Sequence, residues 1–229
     1  MEIYRIKNDI DQNQFHLSLS LLPMETQKKI MSFKKNENSK QSLLSEVLIK
    51  AIICKKFGVK IKNIFIESND YGKPYYHCPT KFEFNKSHSG DWVVCAVDSH
   101  PVGIDVEIVK ELNLDVAKRF FSNEEYQDII SREVTERSSR FYDIWTLKES
   151  YVKCLGYGLS IPLNSFTIKV SSDGNISALL NGRRKNLFFK QYHIEAGYKL
   201  SVCSCSDNFP EEVIITDINF INNVLISEQ

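Results

Sequence analysis

Val102-Gly103-Ile104-Asp105-Val106-Glu107-Ile108 alternates aliphatic with small or acidic residues, and the reading of the whole chain turns on it. Residues two apart on a strand point to one face, so Asp105 and Glu107 project together while Ile104 and Val106 face a core. Two carboxylates side by side repel, and one takes up a proton unless a cation lies between them. Magnesium suits such a pair, because it binds a few carboxylate oxygens and completes its shell with water and phosphate. The same alternation also describes the solvent face of an ordinary edge strand.

Outward from this strand, short apolar runs around Phe82–Asn85 and Trp92–Val97 predict two more strands, separated by Ser-Gly and His-Pro breaks. Tyr71-Gly72-Lys73-Pro74 is a turn, and Ile64–Glu67 before it reads as a strand. Residues 37–57 carry Leu43, Leu44, Val47, Leu48, Ala51 and Ile52 at helical spacing, with Gly58 as the left-handed stop. Pro23 opens a shorter helix through Phe33, and Met1–Ile6 alternates as a strand. Downstream, Ser122-Asn123-Glu124-Glu125 has the capping-box form. A long helix follows over Glu136–Leu155, ended by Gly156 and Gly158. Short strands are expected around 166–170, 176–180, 187–192 and 199–204. Helices followed by strands, twice, predict an α+β protein of two similar halves, 1–103 and 104–229, without a detectable sequence repeat.

The 229 residues are 42% hydrophobic and 25% charged, with 29 basic and 29 acidic side chains. This composition is that of a globular chain, and the zero net charge argues against general nucleic-acid binding. No apolar run reaches the roughly 20 residues that span a bilayer. Met1 is followed by Glu2, Arg5, Lys7 and Asp9, so no signal peptide is expected. The six cysteines form no Cys-x-x-Cys pair and read as free thiols of a cytoplasmic protein.

Trp145-Thr146-Leu147-Lys148-Glu149-Ser150-Tyr151-Val152-Lys153 places Glu149 and Lys153 four apart on one helix face. They could form a plain surface ion pair, or supply a third carboxylate and a phosphate-binding ammonium. Asn85-Lys86-Ser87-His88-Ser89-Gly90 gathers hydroxyls, an imidazole and a glycine where a strand gives way to a turn. Such a segment can hold an oxyanion, or simply make the turn. Lys28, Lys29, Lys34, Lys35 and Lys73 are flexible positive charges suited to phosphate. No phosphate-binding Gly-x-x-x-x-Gly-Lys-Ser/Thr loop, dinucleotide fingerprint, His-Glu-x-x-His or Gly-x-Ser-x-Gly elbow is present.

Taken in order, these segments resemble the 4'-phosphopantetheinyl transferases, in particular the surfactin-synthetase-activating type. Val102–Glu107 and Trp145–Lys153 resemble that family's two signatures, and Asn85–Gly90, Tyr71–Pro74, Phe120-Phe121-Ser122 and Gly156–Leu159 match in place. The likeness runs from Met1 to about residue 215. It implies a monomer of two α+β halves related by a pseudo-twofold axis, with coenzyme A in the cleft between them. It further implies that Asp105, Glu107 and Glu149 hold magnesium against the coenzyme A pyrophosphate. Ser87, His88 and Lys153 would contact the phosphates, Lys73 and Pro74 the adenine, and Lys28 and Lys29 the 3'-phosphate. Glu149 is the candidate base, with Lys153 and His88 as the other catalytic groups.

Three positions depart from the family pattern: Lys86 replaces an apolar residue, and Thr26 and Gln41 stand where relatives carry basic ones. The implied reaction moves phosphopantetheine from coenzyme A to a serine of an apo peptidyl or acyl carrier protein and releases 3',5'-ADP. An acidic carrier helix would dock between residues 111 and 135, with Leu112, Leu114, Phe120 and Phe121 as candidates; the alternative is core packing, which is favoured for Phe120 and Phe121. The rival readings are a metal-dependent coenzyme A or nucleotide pyrophosphate hydrolase using the same carboxylates, and a non-catalytic binding module.

Overall fold

The computed structural model describes residues 1–171 and 173–228, apart from the Leu159 side chain. The first half runs β1 (Glu2–Lys7), α1 (Gln12–Ser20), α2 (Met24–Met31), α3 (Asn36–Phe57), β2 (Ile66–Ser68), β3 (Pro74–Tyr76), β4 (Glu83–Ser89) and β5 (Trp92–Asp98). The second runs β6 (Val102–Ile108), α4 (Leu114–Phe120), α5 (Asn123–Ile130), α6 (Val134–Leu155), β7 (Phe166–Val170), β8 (Ile176–Leu180), β9 (Arg183–Arg184), β10 (Phe188–Tyr192) and β11 (Tyr198–Ser204). A tail, β12 (Ile214–Thr216) and α7 (Ile218–Ser227), completes the chain.

The two runs repeat one plan. In each, the first strand pairs antiparallel with the last, and the last with the one before it, giving β1-β5-β4 and β6-β11-β10. Each contains one 22-residue helix, α3 or α6, that ends on a left-handed glycine, Gly58 or Gly156. A side chain at these positions would be strained, so glycine fixes where each helix stops. The α+β fold of two similar halves expected from the sequence is thus present.

Each long helix covers one face of its sheet. In the first half, Leu44, Leu48, Ile49 and Ile52 of α3 share a core with Ile6, Phe84, Val93 and Cys95. In the second, Ile144, Leu147 and Tyr151 of α6 pack with Phe166, Ala178 and Cys203. A third cluster, including Ile3, Val94, Ile104, Val106, Leu200 and Val202, joins the opposite faces of the two sheets. That apolar layer makes one body of the two halves.

Several predicted boundaries shift. The strand expected at Ile64–Glu67 is displaced to β2 by a 3-10 turn over Ile61–Asn63. The strand expected to stop at Asn85 continues through Ser89, so the Asn85–Ser89 segment is strand rather than turn. The tail was not foreseen. β12 adds to β1 in parallel register, and Ile218, Ile221 and Leu225 of α7 enter the first-half core. The end of the chain therefore packs on its beginning. No helix among the described residues is long and apolar enough to cross a membrane.

Candidate active site

The edge strands β4 and β6 meet without a backbone ladder; side chains span the gap. Asn85, Ser87 and Ser89 share one face of β4 by the two-residue period of a strand. Asn85 Oδ1 accepts from Ile104 N at 3.0 Å, and Ser87 Oγ donates to Asp105 Oδ1 at 2.9 Å. Ser89 Oγ donates to Glu107 Oε2 at 2.7 Å and accepts from Ile108 N at 3.2 Å. The hydroxyls read from sequence as an oxyanion cradle thus orient the two carboxylates.

Helix α6 brings the third carboxylate and the lysine. A Cβ added at Gly103 would lie 2.1 Å from Ser150 O and 2.3 Å from Cys154 N, so only glycine lets α6 settle this closely on β6. At that distance Lys153 Nζ donates to Asp105 Oδ1 at 2.6 Å, to Ser87 Oγ at 3.1 Å and to Ile104 O at 3.3 Å. Lys153 therefore pairs across to β6 and not along its own helix with Glu149. The other signature lysine, Lys148, is fully buried: its Nζ reaches Glu125 Oε2 at 2.8 Å and the carbonyls of Leu163 and Phe166. Glu125 is the last residue of the capping box foreseen at Ser122, so Lys148 ties α6 to α5 and β7.

The first half also locks the end of α6. The last carbonyls of a helix lack intrahelical partners. Lys73 Nζ donates to Cys154 O at 3.1 Å and Val102 O at 3.3 Å, and Asn69 Nδ2 to Gly156 O at 3.0 Å. The Lys73 ammonium thereby joins the halves, and Lys73 also lines the adjoining cavity. This second role had no signal in the sequence, since each partner lies far along the chain.

Two cavities share this wall. One, about 580 Å³, is lined by Asp105, Glu107, Glu149, Lys153, Ser87 and His88. The other, about 530 Å³, is lined by Lys73, Pro74, Tyr71, Thr26, Ile30 and Gly158, among others. Lys29, Ser42, Glu46, Lys86 and Lys153 line both, so the two open into one cleft between the halves. Of the two lysines predicted to meet a phosphate from α2, Lys29 faces this cleft; Lys28 is exposed and lines neither cavity. Gln41 is buried and donates to Gly90 O at 2.8 Å, a structural use.

Electrostatics mark the carboxylates as strained. Burial raises the pKa of Asp105 (3% exposed) against the opposing pull of Lys153. Burial and then the Asp105 charge raise those of Glu107 and Glu149. His88 lies at the cleft mouth, where partial loss of water and then Lys153 and Lys86 push its pKa below the usual value. Asp105 Oδ2 is buried with no hydrogen-bond partner. Among the described residues no three His, Cys, Asp or Glu side chains are already arranged to hold a metal alone. The oxygen-only donor set and the unpartnered Oδ2 nonetheless fit a hard cation that takes its other ligands from water and phosphate.

A raised carboxyl pKa means that the folded chain binds protons more tightly than the unfolded one. Such a group weakens the fold as pH rises from its unfolded pKa through its folded one, and the loss is recovered as pH falls back to the unfolded value. Glu149→Gln is accordingly expected to raise the melting temperature at neutral pH by a few degrees. The gain should shrink near pH 4, as calorimetry across pH would show. A variant that melts lower than the parent at neutral pH would contradict the strain.

The lineage of this arrangement is visible in known proteins. A family model described as the 4'-phosphopantetheinyl transferase superfamily matches residues 101–203. A second, 4'-phosphopantetheinyl transferase, N-terminal, matches residues 9–100. The 4'-phosphopantetheinyl transferase Sfp of Bacillus subtilis is 37% identical over 215 residues, covering 93% of this chain and 96% of that protein. This chain belongs to the 4'-phosphopantetheinyl transferase family. Psf-1 of Bacillus pumilus is 37% identical, covering 82% of the transferase described here and 81% of its own length. Gsp of Aneurinibacillus migulanus is 34% identical, covering 89% and 85%. The match thus takes in both halves of the transferase and the cleft between them.

Of the residues expected to meet a carrier, Phe121 is buried and stacks on Phe141 at 4.9 Å, and Phe120 packs edge-on against Trp145 at 5.9 Å. Leu114 is exposed. Leu112 and Val116 line a shallow cavity of about 220 Å³ beside Glu107 and Trp145.

Proposed function

We propose that this transferase moves the 4'-phosphopantetheine arm of coenzyme A onto a serine hydroxyl of an apo peptidyl or acyl carrier protein and releases 3',5'-ADP. Such modification activates non-ribosomal peptide, polyketide and related synthases. The observation that carries the reading is the convergence of Asp105, Glu107, Glu149 and Lys153 in one cleft, continuous with the cavity lined by Lys73 and Pro74. The pyrophosphate-hydrolase alternative finds no support among the relatives, which are transferases.

The residue roles follow from position. Asp105, Glu107 and Glu149 would hold magnesium, which when bound supplies charge neutralisation to the diphosphate. Lys153, fixed by Asp105 and Ser87, holds a positive charge beside the phosphate that leaves with ADP. Glu149 accepts the proton of the carrier serine as its oxygen bonds to phosphorus. The phosphorus–oxygen bond to ADP breaks in the same displacement, so charge placement does most of the work. His88 takes up a proton as it meets a phosphate, which offsets its lowered pKa.

A carrier docks at Leu112, Leu114 and Val116, of which Leu112 and Val116 share a cavity wall with Glu107. Both cavities are completed within one chain, so a monomer suffices. All six cysteines are free, which suits the cytoplasm. The division expected between residues 103 and 104 falls inside β6, after its second residue.

Release of 3',5'-ADP, followed by chromatography with and without an apo carrier, tests the reading. ADP is expected only when the carrier, coenzyme A and magnesium are all present. ADP formed at the same rate without a carrier would mean hydrolysis.

A further inference from the structure

Lys86 and Glu46 are two charges in the cleft that the mechanism above does not use. Glu46 lies on α3 and Lys86 on β4, and their Nζ–Oε1 separation is 2.5 Å. Both side chains are largely but not wholly covered, at 20% and 26% exposure for Lys86 and Glu46. Both line the two cavities where these meet. Lys29 of α2 and Ser42 of α3 share that junction, and neither side chain has a hydrogen-bond or ion-pair partner among the described residues. Three elements thus bring two lysines and a serine to one junction, and a carboxylate pairs with one of the lysines.

We infer that Lys86 is a further coenzyme A-binding residue, whose ammonium leaves Glu46 to meet the 3'-phosphate, and that Glu46 competes with that phosphate for it. The inference rests on the transferase reading of the cleft. The choice of phosphate follows from charge placement. The diphosphate belongs with Asp105, Glu107 and Glu149, whose cavity Lys153 shares while pairing with Asp105 at 2.6 Å. Lys86 stands on β4 and pairs instead with Glu46 of α3. The dianionic 3'-phosphate, on the nucleotide portion that the Lys73–Pro74 cavity would take, then falls nearer Lys29, Ser42 and Lys86. A lysine suits the exchange, because it acts as a point charge on a flexible stem and can swing between two acceptors. Glu46 offsets one of the two ammonium charges at the junction until the phosphate arrives.

Calorimetric titration of coenzyme A and of 3'-dephospho-coenzyme A, in magnesium and without a carrier, tests this on the intact protein. Lys86→Met is expected to weaken coenzyme A binding about tenfold, in line with loss of one charge-assisted contact. It should leave 3'-dephospho-coenzyme A within about twofold of the parent. Glu46→Gln should tighten coenzyme A about threefold, since the competitor is gone. Lys86→Met with Glu46→Gln removes both charges, leaves no unpaired carboxylate to disturb the fold, and should show the same selective loss. Parent-like affinity in Lys86→Met, or an equal loss for both nucleotides, overturns the inference while leaving the transferase reading intact. Failure of the parent protein to bind either nucleotide overturns the transferase reading and the inference with it.

Discussion

Asp105→Ala should lower kcat/KM for carrier modification by about a thousandfold, in the range seen when one preorganised charge is removed from an active site. Asp105 Oδ1 is where Ser87 and Lys153 converge, at 2.9 and 2.6 Å, and its Oδ2 is buried without a partner. One substitution therefore removes the anchor of the lysine, the acceptor of the serine and a candidate metal oxygen. The fold should survive, because the Lys153 side chain is 27% exposed and can turn toward water. Asp105→Asn separates shape from charge. It keeps an acceptor for Ser87 and loses the negative charge, and it should be nearly as inactive. Steady-state kinetics with a purified apo carrier would decide; Asp105→Asn retaining a tenth of parental kcat/KM would remove Asp105 from the site.

Gly103→Ala is expected to act through geometry rather than charge. The new methyl would lie 2.1, 2.3 and 2.9 Å from Ser150 O, Cys154 N and Lys153 C, all backbone atoms of α6. No rotamer change relieves such a contact, so helix and strand must separate. Overpacking of this kind costs about 3 kcal/mol, and the melting temperature should drop by roughly 6–12 °C. The separation would also draw Lys153 and Glu149 away from Asp105. A displacement near 1 Å costs about a hundredfold in rate. Turnover measured well below the lowered melting point distinguishes the two effects. Full activity in a folded Gly103→Ala protein would show that the close approach of α6 is not needed for catalysis.

The elements that set the fold are legible where local signals are strong. Both 22-residue helices carry apolar spacing and end on glycine, and the Ser122 capping box forms as its sequence requires. The acidic alternation around Asp105 predicts one face for two carboxylates, and the β6 register supports it. Pairings between distant residues are not legible. Lys153 meets a residue 48 positions earlier, and nothing in the spacing of Glu149 and Lys153 announces that choice. The division of labour between the two signature lysines is equally hidden, since burial of Lys148 depends on Glu125 and on the β7 backbone. The tail escapes for another reason. β12 is three residues long, and α7 reads Ile218-Asn219-Phe220-Ile221-Asn222-Asn223, too rich in asparagine to signal a helix. Its helix is secured by packing against α3 in the first-half core.

The central claim is that this cleft transfers phosphopantetheine rather than cleaving or merely holding coenzyme A. Intact-mass spectrometry of an apo peptidyl carrier, incubated with the protein, coenzyme A and magnesium, tests it most directly. A gain of one phosphopantetheine arm is expected, absent with chelator, with a carrier Ser→Ala or with Asp105→Ala. An unmodified carrier while coenzyme A is consumed would contradict it.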